Sequence, residues 1–148
     1  MNVCLAYQRT IIEIEHLDWL RTFPVQMRIG EIKMVHGGWH DPIDEYLKPT
    51  VDYFERVQGS YFVSGHTHLQ TAQCFGDKVY WNPGSVGQPR DGDPWVAFAV
   101  YESSEFSLHR VEYDMQKVFD LMDAAGFSDN YYGGLKTGAR NLQRLVES

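Results

Sequence analysis

Two histidines separated by one residue give the strongest chemical signal in the sequence. His66 and His68 follow Gly65 directly, at the end of the short apolar run YFVSG. Gly65 allows the chain to leave a strand and turn at this point. The ions of a two-metal site lie roughly 3.5–4 Å apart, so each imidazole can serve a different ion. The pair therefore predicts a metal-binding loop.

A third histidine occupies an equivalent position earlier in the chain. His36 ends the apolar run IKMV and precedes Gly37 and Gly38. Ligands gather at the carboxyl ends of strands in layered α/β folds, so the two histidine loops are expected to converge there. Neutral imidazole is a common ligand of divalent transition metals.

Two further side chains carry alternative interpretations. His40 lies near His36 and either contacts substrate or has a structural role before a helix. Arg90 either reaches a phosphate group by hydrogen bonds or forms an ion pair with Asp91 or Asp93. The sequence leaves both pairs of alternatives open.

The remaining polar candidates have simpler structural explanations. Asp41, Asp44 and Glu45 form an acidic cluster that can recruit a cation, but a solvated loop or helix start is the simpler explanation. His16 and His109 lie in a predicted helix and a predicted strand with no motif around them. We expect both to be structural.

Composition limits the classes of function. A formal net charge of −7 argues against a broad basic surface for nucleic acid or anionic lipid. The 43% hydrophobic content is typical of a folded soluble protein. Cys4 and Cys74 form no CxxC pair, and no run is long and apolar enough to cross a bilayer, so a cytoplasmic setting is expected.

Hydrophobic patterns predict the elements around these residues. A helix is expected over about residues 14–23, whereas residues 2–13 are ambiguous between strand and helix. Strands end at His36 and at Gly65, and a helix that opens at Pro49 and Thr50 lies between them.

The second part of the sequence has a different pattern of predicted secondary structure. From about residue 69 to 112, four strand-like runs separated by turn signals predict an antiparallel meander. Asp114 can cap a helix that ends at Gly126, and a short helix is expected to close the tail. The order favours a single domain over residues 1–148, an α/β (α+β) layered sandwich.

Three strings in this order are more specific than any motif alone. VHGGWHDPIDEYL, VSGHTHLQ and NPGSVGQPRDGDP resemble the later motifs of the calcineurin-like metallophosphoesterases, particularly the compact bacterial phosphodiesterase-type branch. The resemblance runs from about His16 to Leu142. It implies the C-terminal half of a four-layer αββα fold.

The resemblance also implies roles for individual residues. His36 and His66 would bind one divalent transition metal ion, and His68 would bind the other, with Mn, Fe, Zn, Ni or Co as candidates. His40 and Arg90 are possible substrate contacts. Structural support for the site is expected from four residues in neighbouring loops: Gly65, Asn82, Gly84 and Ser85.

Three motifs that come before the H-G motif in the family are missing ahead of His36. These are D-x-H, the G-D motif with the bridging aspartate, and G-N-H with the catalytic histidine. We therefore expect a partial domain, the C-terminal portion of the family domain, with no catalytic residue of its own. Alone it would be inactive or weakly active.

The resemblance implies a metal-dependent phosphoesterase that hydrolyses a phosphomonoester or phosphodiester through a metal-bridging hydroxide at a dinuclear site. Its partner would be a small phosphate ester, together with a second copy or another chain that supplies the other half. The alternative is a non-catalytic remnant that acts as a metal-binding or oligomeric interaction module. An amidohydrolase, whose H-x-H pair belongs to the first strand of a barrel, fits poorly because a meander follows the pair here.

Overall fold

The structure, a computed structural model, describes residues 3–139. Its helices are α1 (Val3–Ile11), α2 (Ile14–Arg21), α3 (Val51–Glu55), α4 (Met115–Ala124) and α5 (Asp129–Tyr132), followed by a 3-10 helix over Gly133–Lys136. Its strands are β1 (Gln26–Ile29), β2 (Ile32–Val35), β3 (Tyr61–Ser64), β4 (Thr71–Phe75), β5 (Lys78–Asn82), β6 (Val96–Glu102) and β7 (Glu105–Val111).

The strands form a five-stranded and a two-stranded sheet. The larger sheet has the order β1-β2-β3-β5-β4, and β6 pairs with β7 in the smaller one. Strands β2, β3 and β5 are parallel, whereas β1 and β4 run antiparallel to their neighbours. The predicted mixed α/β architecture is confirmed.

The parallel strands are the most buried part of the sheet. Phe62, Val63 and Ser64 are all buried in β3, as expected for a central strand covered on both faces. In the β2–β3 register, Val35 lies opposite Ser64. The residues that follow these two strands therefore emerge side by side at one edge of the sheet.

The predicted meander is wrong in its pairing. β4 and β5 form one hairpin, but β5 lies between β4 and β3, and β6 and β7 belong to the other sheet. Each hairpin follows from local turn signals, whereas the parallel β3–β5 pairing depends on non-local contacts. Strand β1 was also not predicted, and Gly30 turns between it and β2 with a φ of 58°.

The helices begin and end close to the predicted positions. Thr50 caps α3 by accepting a hydrogen bond from the backbone N–H of Tyr53 at 3.2 Å, and Asp114 caps α4 by accepting one from Gln116 at 3.2 Å. The ambiguous N-terminal residues form α1, and α2 matches the predicted helix. The helix expected to close the tail falls largely on residues 140–148, outside the described residues.

Two hydrophobic clusters are formed by different parts of the sequence, one by residues 47–80 and the other by residues 119–135. The larger packs α3 against the sheet and contains Leu47, Phe54, Val57, Phe62 and Tyr80. The smaller joins α4 to the last helices through Phe119, Tyr132 and Leu135. Among residues 3–139, no helix has the length and apolar content to cross a membrane.

The N-terminal elements contribute little to either cluster. Neither α1 nor α2 contains a buried residue, and all four residues of β1 are exposed. Large apolar side chains such as Ile11, Trp19 and Met27 are about half exposed along this surface. We call residues 3–29 the N-terminal apolar surface.

Candidate metal centre

The candidate site lies at the carboxyl edge of the parallel strands. His36 follows β2, Gly65 and His66 follow β3, and the turn that begins at Pro83 follows β5. The backbone N–H of Gly65 donates to the His36 carbonyl at 2.9 Å, which ties the first two loops together. The structure thus brings the histidine loops together at one sheet edge.

His36 and His66 contact each other through their rings. The Nδ1 atom of His66 lies 3.0 Å from Nε2 of His36, and the ring centroids are 5.0 Å apart. One nitrogen must donate and the other accept, so at least one of the two rings is neutral. The other nitrogen of His66, Nε2, is buried and has no hydrogen-bond partner. In the tautomer in which His66 Nδ1 donates to His36, this Nε2 is a buried acceptor without a partner, which is costly and which a bound cation would satisfy.

His68 has a defined tautomer. Its Nδ1 lies 2.7 Å from the carbonyl oxygen of Gln88, and because a carbonyl can only accept, Nδ1 carries the proton. In the neutral ring Nε2 therefore carries the lone pair. Metal-binding histidines are commonly oriented in this way by a hydrogen bond to the second ring nitrogen.

The rings of His66 and His68 both favour the neutral form that a metal ligand requires. Burial, followed by the charge of His36, lowers the pKa of His66. Burial also lowers the pKa of His68, more than its bond to the Gln88 carbonyl raises it, and the charge of Arg90 adds to the lowering. Neutral imidazole is the form that binds cations.

The turn depends on the histidines rather than on the glycine expected to provide it. His66 has a φ of 60° and His68 a φ of 62°, whereas Gly65 does not adopt a positive φ. A left-handed backbone at a non-glycine residue costs about 1–3 kcal/mol and persists only where the surroundings hold it. Such strain is concentrated at functional sites.

Asn82 supplies much of that support. Its side chain is 1% exposed, and its Nδ2 donates to the Gly65 carbonyl at 3.0 Å and to Thr67 Oγ1 at 2.9 Å. Its Oδ1 accepts from the backbone N–H of Gly84 at 2.9 Å. Asn82 therefore joins the histidine loop to the turn after β5.

The turn after β5 is closely packed against the second sheet. Gly84 has a φ of 84°, and a Cβ atom there would lie 2.6 Å from the Cβ of Ala97. Ser85 accepts from Ala97 through its carbonyl at 3.0 Å and from Gln88 through its hydroxyl at 2.9 Å. Ser85 thus fixes the residue whose carbonyl orients His68.

Arg90 lies beside the histidine loop. Its backbone N–H donates to the His68 carbonyl at 3.1 Å, and its Nη2 donates to Gln88 Oε1 at 2.7 Å. Its Nε is buried without a partner. The carboxylates of Asp91 and Asp93, the alternative partners expected from the sequence, pair with Arg110 instead.

The loop that follows β2, which begins with His36, Gly37 and Gly38 and which we call the HGG loop, places His40 at the surface. Its ring is exposed and packs edge-on against Tyr53, with centroids 4.8 Å apart. Glu45 accepts from the backbone N–H groups of His40 at 3.0 Å and Asp41 at 3.2 Å, and from the Tyr53 hydroxyl at 3.0 Å. Glu45 therefore folds this loop.

The other acidic residues and histidines have the following positions. Asp41 caps its own loop, and the N–H groups of Ile43 and Asp44 lower the pKa of its carboxyl group. His16 is exposed on α2, and Nε2 of His109 lies 2.7 Å from the Ser107 hydroxyl.

Within residues 3–139, no three histidine, cysteine or acidic side chains are grouped closely enough to hold a metal ion. The imidazoles fit a transition metal in kind, but as a partial set of ligands.

Comparison with known proteins identifies the family. Residues 13–105 match the model of the calcineurin-like phosphoesterase superfamily domain. The chain belongs to this superfamily. Membership of a metallophosphoesterase family implies divalent metal ions.

Relatives of this calcineurin-like phosphoesterase chain are longer than it is. An uncharacterised protein of Methanocaldococcus jannaschii is 29% identical over 142 residues, and the chain spans 58% of its length. A metallophosphoesterase from Sphaerobacter thermophilus superposes with a TM-score of 0.77 at 28% identity, over 88% of this chain and 64% of that one. A hypothetical protein from Pyrococcus horikoshii shares the fold, with a TM-score of 0.73 at 19% identity, over 85% of this chain and 55% of that one.

Two residues at the site of this calcineurin-like phosphoesterase chain were not anticipated. Gln88 orients His68 through a backbone carbonyl, which leaves no signal in a side chain. Tyr46 packs its ring against His66, with centroids 4.3 Å apart. Its position in the loop after His36 was the one available signal.

Proposed function

We propose that the chain contributes part of the metal site of a phosphoesterase that hydrolyses a phosphomonoester or phosphodiester. The main support is a pair of imidazoles that each have a ring nitrogen without a hydrogen-bond partner in the described part of the fold. Nε2 of His66 is buried without a partner, and the bond from His68 Nδ1 to the Gln88 carbonyl leaves the Nε2 lone pair of His68 available.

In this proposal the imidazoles are divided between two cations. His36 and His66, which are in contact, serve one cation, and His68 serves the other. Divalent Mn, Fe, Zn, Ni or Co at such a site would neutralise phosphate charge and lower the pKa of water. The chain's own part is to hold neutral imidazoles in fixed orientations.

A dinuclear site also needs bridging oxygen ligands. Because residues 3–139 present no cluster of three acidic or histidine ligands, we assign the bridging carboxylate to a further segment or another chain. The described residues alone would then bind metal weakly and turn over little substrate. We place this activity in the cytoplasm because Cys4 and Cys74 give no sign of a disulfide framework.

Arg90 and His40 are proposed as substrate contacts. Arg90 is close enough to lower the pKa of both His66 and His68, so its positive charge extends to the site. His40 lies exposed on the HGG loop. Arg90→Ala and His40→Ala should each raise KM for a phosphate ester in an active assembly, more strongly for Arg90 because it carries the charge.

Metal binding is the direct test. Titration of the purified protein with Mn²⁺, Zn²⁺ or Co²⁺, followed by calorimetry, should give binding that His66→Ala and His68→Ala each weaken, because each variant loses a ligand of one of the two cations. His16→Ala, at an exposed histidine on α2, is the matched control and should bind as the unchanged protein does. Hydrolysis of bis-p-nitrophenyl phosphate with Mn²⁺ is measured in parallel. Absence of binding by the unchanged protein, or equal binding by all three variants, contradicts the proposal.

The second candidate is a non-catalytic interaction module. It is favoured by the N-terminal apolar surface, where Trp19 is 60% exposed and Leu20 is 50% exposed. Its partner would be a second copy or a chain that completes the fold. Sedimentation over a range of concentrations, with Trp19→Glu and Leu20→Glu as disrupting variants, separates this module from a monomeric metal site.

A further inference from the structure

The loop after β5 pairs with the histidine loop through three hydrogen bonds. His68 donates from Nδ1 to the Gln88 carbonyl at 2.7 Å, and its own carbonyl accepts from the Arg90 N–H at 3.1 Å. Asp91 Oδ2 then accepts from the backbone N–H of Gln70 at 2.8 Å. Residues 88–91 therefore hold His68 by both its ring and its backbone.

Asp91 is in turn held by a residue of the second sheet. Arg110, on β7, donates from Nη2 to the same Oδ2 atom of Asp91 at 2.5 Å. The two side chains are 19% and 16% exposed, so this pair is only weakly screened by water. Because one oxygen of Asp91 serves both Arg110 and Gln70, a displaced Arg110 would also disturb the backbone beside His68.

The other nitrogens of Arg110 are engaged in the same region. Nε donates to Gln70 Oε1 at 3.1 Å, and Nη1 donates to the carbonyls of Asp93 and Trp95 at 3.3 Å each. A planar guanidinium can make this set of contacts, whereas a lysine ammonium cannot reproduce its fork geometry. Arg110 thus holds the C-terminal part of the loop that carries Gln88 and Arg90, and it also holds Gln70 beside the histidine loop.

We propose that Arg110, acting through Asp91, is a positioning residue of the metal centre. By holding residues 88–91 against the histidine loop, it keeps His68 Nδ1 bonded to the Gln88 carbonyl and the Nε2 lone pair directed outward. This matters at His68 because its left-handed backbone, with a φ of 62°, needs its surroundings to hold it. Only the link to a cation rests on the proposed function.

The tautomer of His68 can be read without metal or substrate. Imidazole ¹⁵N chemical shifts of the metal-free protein at pH 8 should show a proton on Nδ1 and none on Nε2. Arg110→Gln should populate both tautomers and weaken Co²⁺ binding by about 10-fold, the lower end of the effect of removing groups that orient a metal ligand. For Arg110→Lys, both the tautomer populations and the Co²⁺ affinity should lie between those of Arg110→Gln and those of the unchanged protein.

Asp91→Asn, alone and combined with Arg110→Gln, tests whether Arg110 acts on His68 through Asp91. Asp91→Asn keeps an oxygen for Gln70 but loses the charge that Arg110 binds, so it should resemble Arg110→Gln, and the double variant should add little. Should Arg110→Gln not fold, Arg110→Lys and Asp91→Asn carry the same comparison. Additive effects of the two changes contradict a shared route.

A remote variant separates positioning from general stability. Tyr132→Phe removes a hydrogen bond to Asp123 between α5 and α4, so it should lower Tm without changing the His68 tautomer. If Arg110→Gln lowers Tm and leaves the tautomer and Co²⁺ affinity unchanged, the proposal is overturned. If the tautomer shifts while the unchanged protein binds no Co²⁺, Arg110 positions His68 and the proposed metal function is wrong.

Discussion

Removal of the Asn82 side chain tests how strongly the histidine loop is supported. Asn82→Ala removes a long contact to the Tyr80 hydroxyl at 3.4 Å and three shorter hydrogen bonds, to the Gly65 carbonyl, the Thr67 hydroxyl and the Gly84 N–H. At a net value of about 1 kcal/mol each, their loss should lower the free energy of unfolding by about 3 kcal/mol. For a domain of this size, that corresponds to a fall in Tm of about 6–12 °C.

The assay is urea unfolding with a fixed m-value, together with the thermal midpoint. Thr67→Val is the matched variant, because it removes one of the three contacts and nearly preserves side-chain volume. It should cost about 1 kcal/mol. The reasoning is refuted if Asn82→Ala costs less than about 1 kcal/mol, or if Thr67→Val costs as much as Asn82→Ala.

Three further perturbations probe the loops around the site. Gly84→Ala should destabilise by about 1–3 kcal/mol, because a new Cβ would lie 2.6 Å from the Cβ of Ala97, and Ala97→Gly in the same chain should recover part of the loss in urea unfolding. The pKa values of His66 and His68 are lowered in the folded state, so unfolding takes up protons in acid. The contribution of these two histidines to the free energy of unfolding should therefore be fully present above the unfolded pKa of about 6.5 and should be lost as the pH falls below it. In unfolding curves recorded at several pH values, His68→Gln should make the free energy of unfolding less dependent on pH. Tyr53→Phe removes two hydrogen bonds of the Tyr53 hydroxyl, one to Glu45 and one from the backbone N–H of Trp39, so it should lower Tm and reduce the free energy of unfolding by about 2 kcal/mol.

Much of the site arrangement was accessible from sequence because it is encoded locally. His36 and His66 each follow a short apolar run, and chain polarity alone places the ends of parallel strands at one edge. The cap residues Thr50 and Asp114 are similarly local. The family resemblance itself, carried by motifs in the sequence, is confirmed by the family model over residues 13–105.

The missed features depend on contacts between distant parts of the chain. The parallel pairing of β5 with β3 cannot be read from hairpin signals, which favoured a meander. Arg110 lies 40 residues beyond Gln70, and nothing near either residue indicates that they meet. The sequence also did not indicate that the left-handed residues of the turn are the histidines rather than Gly65, a conformation that surrounding hydrogen bonds hold.

In the proposed metal site, the left-handed backbone of His66 and His68 sets metal binding against the stability of the fold. Glycine adopts these φ values, 60° and 62°, without a steric penalty, so replacing either histidine by glycine would relieve strain. The same replacement would delete an imidazole from the sheet edge. The strain at both positions is therefore, in the proposed metal site, a loss of folding stability that accompanies the placement of two imidazoles at the sheet edge.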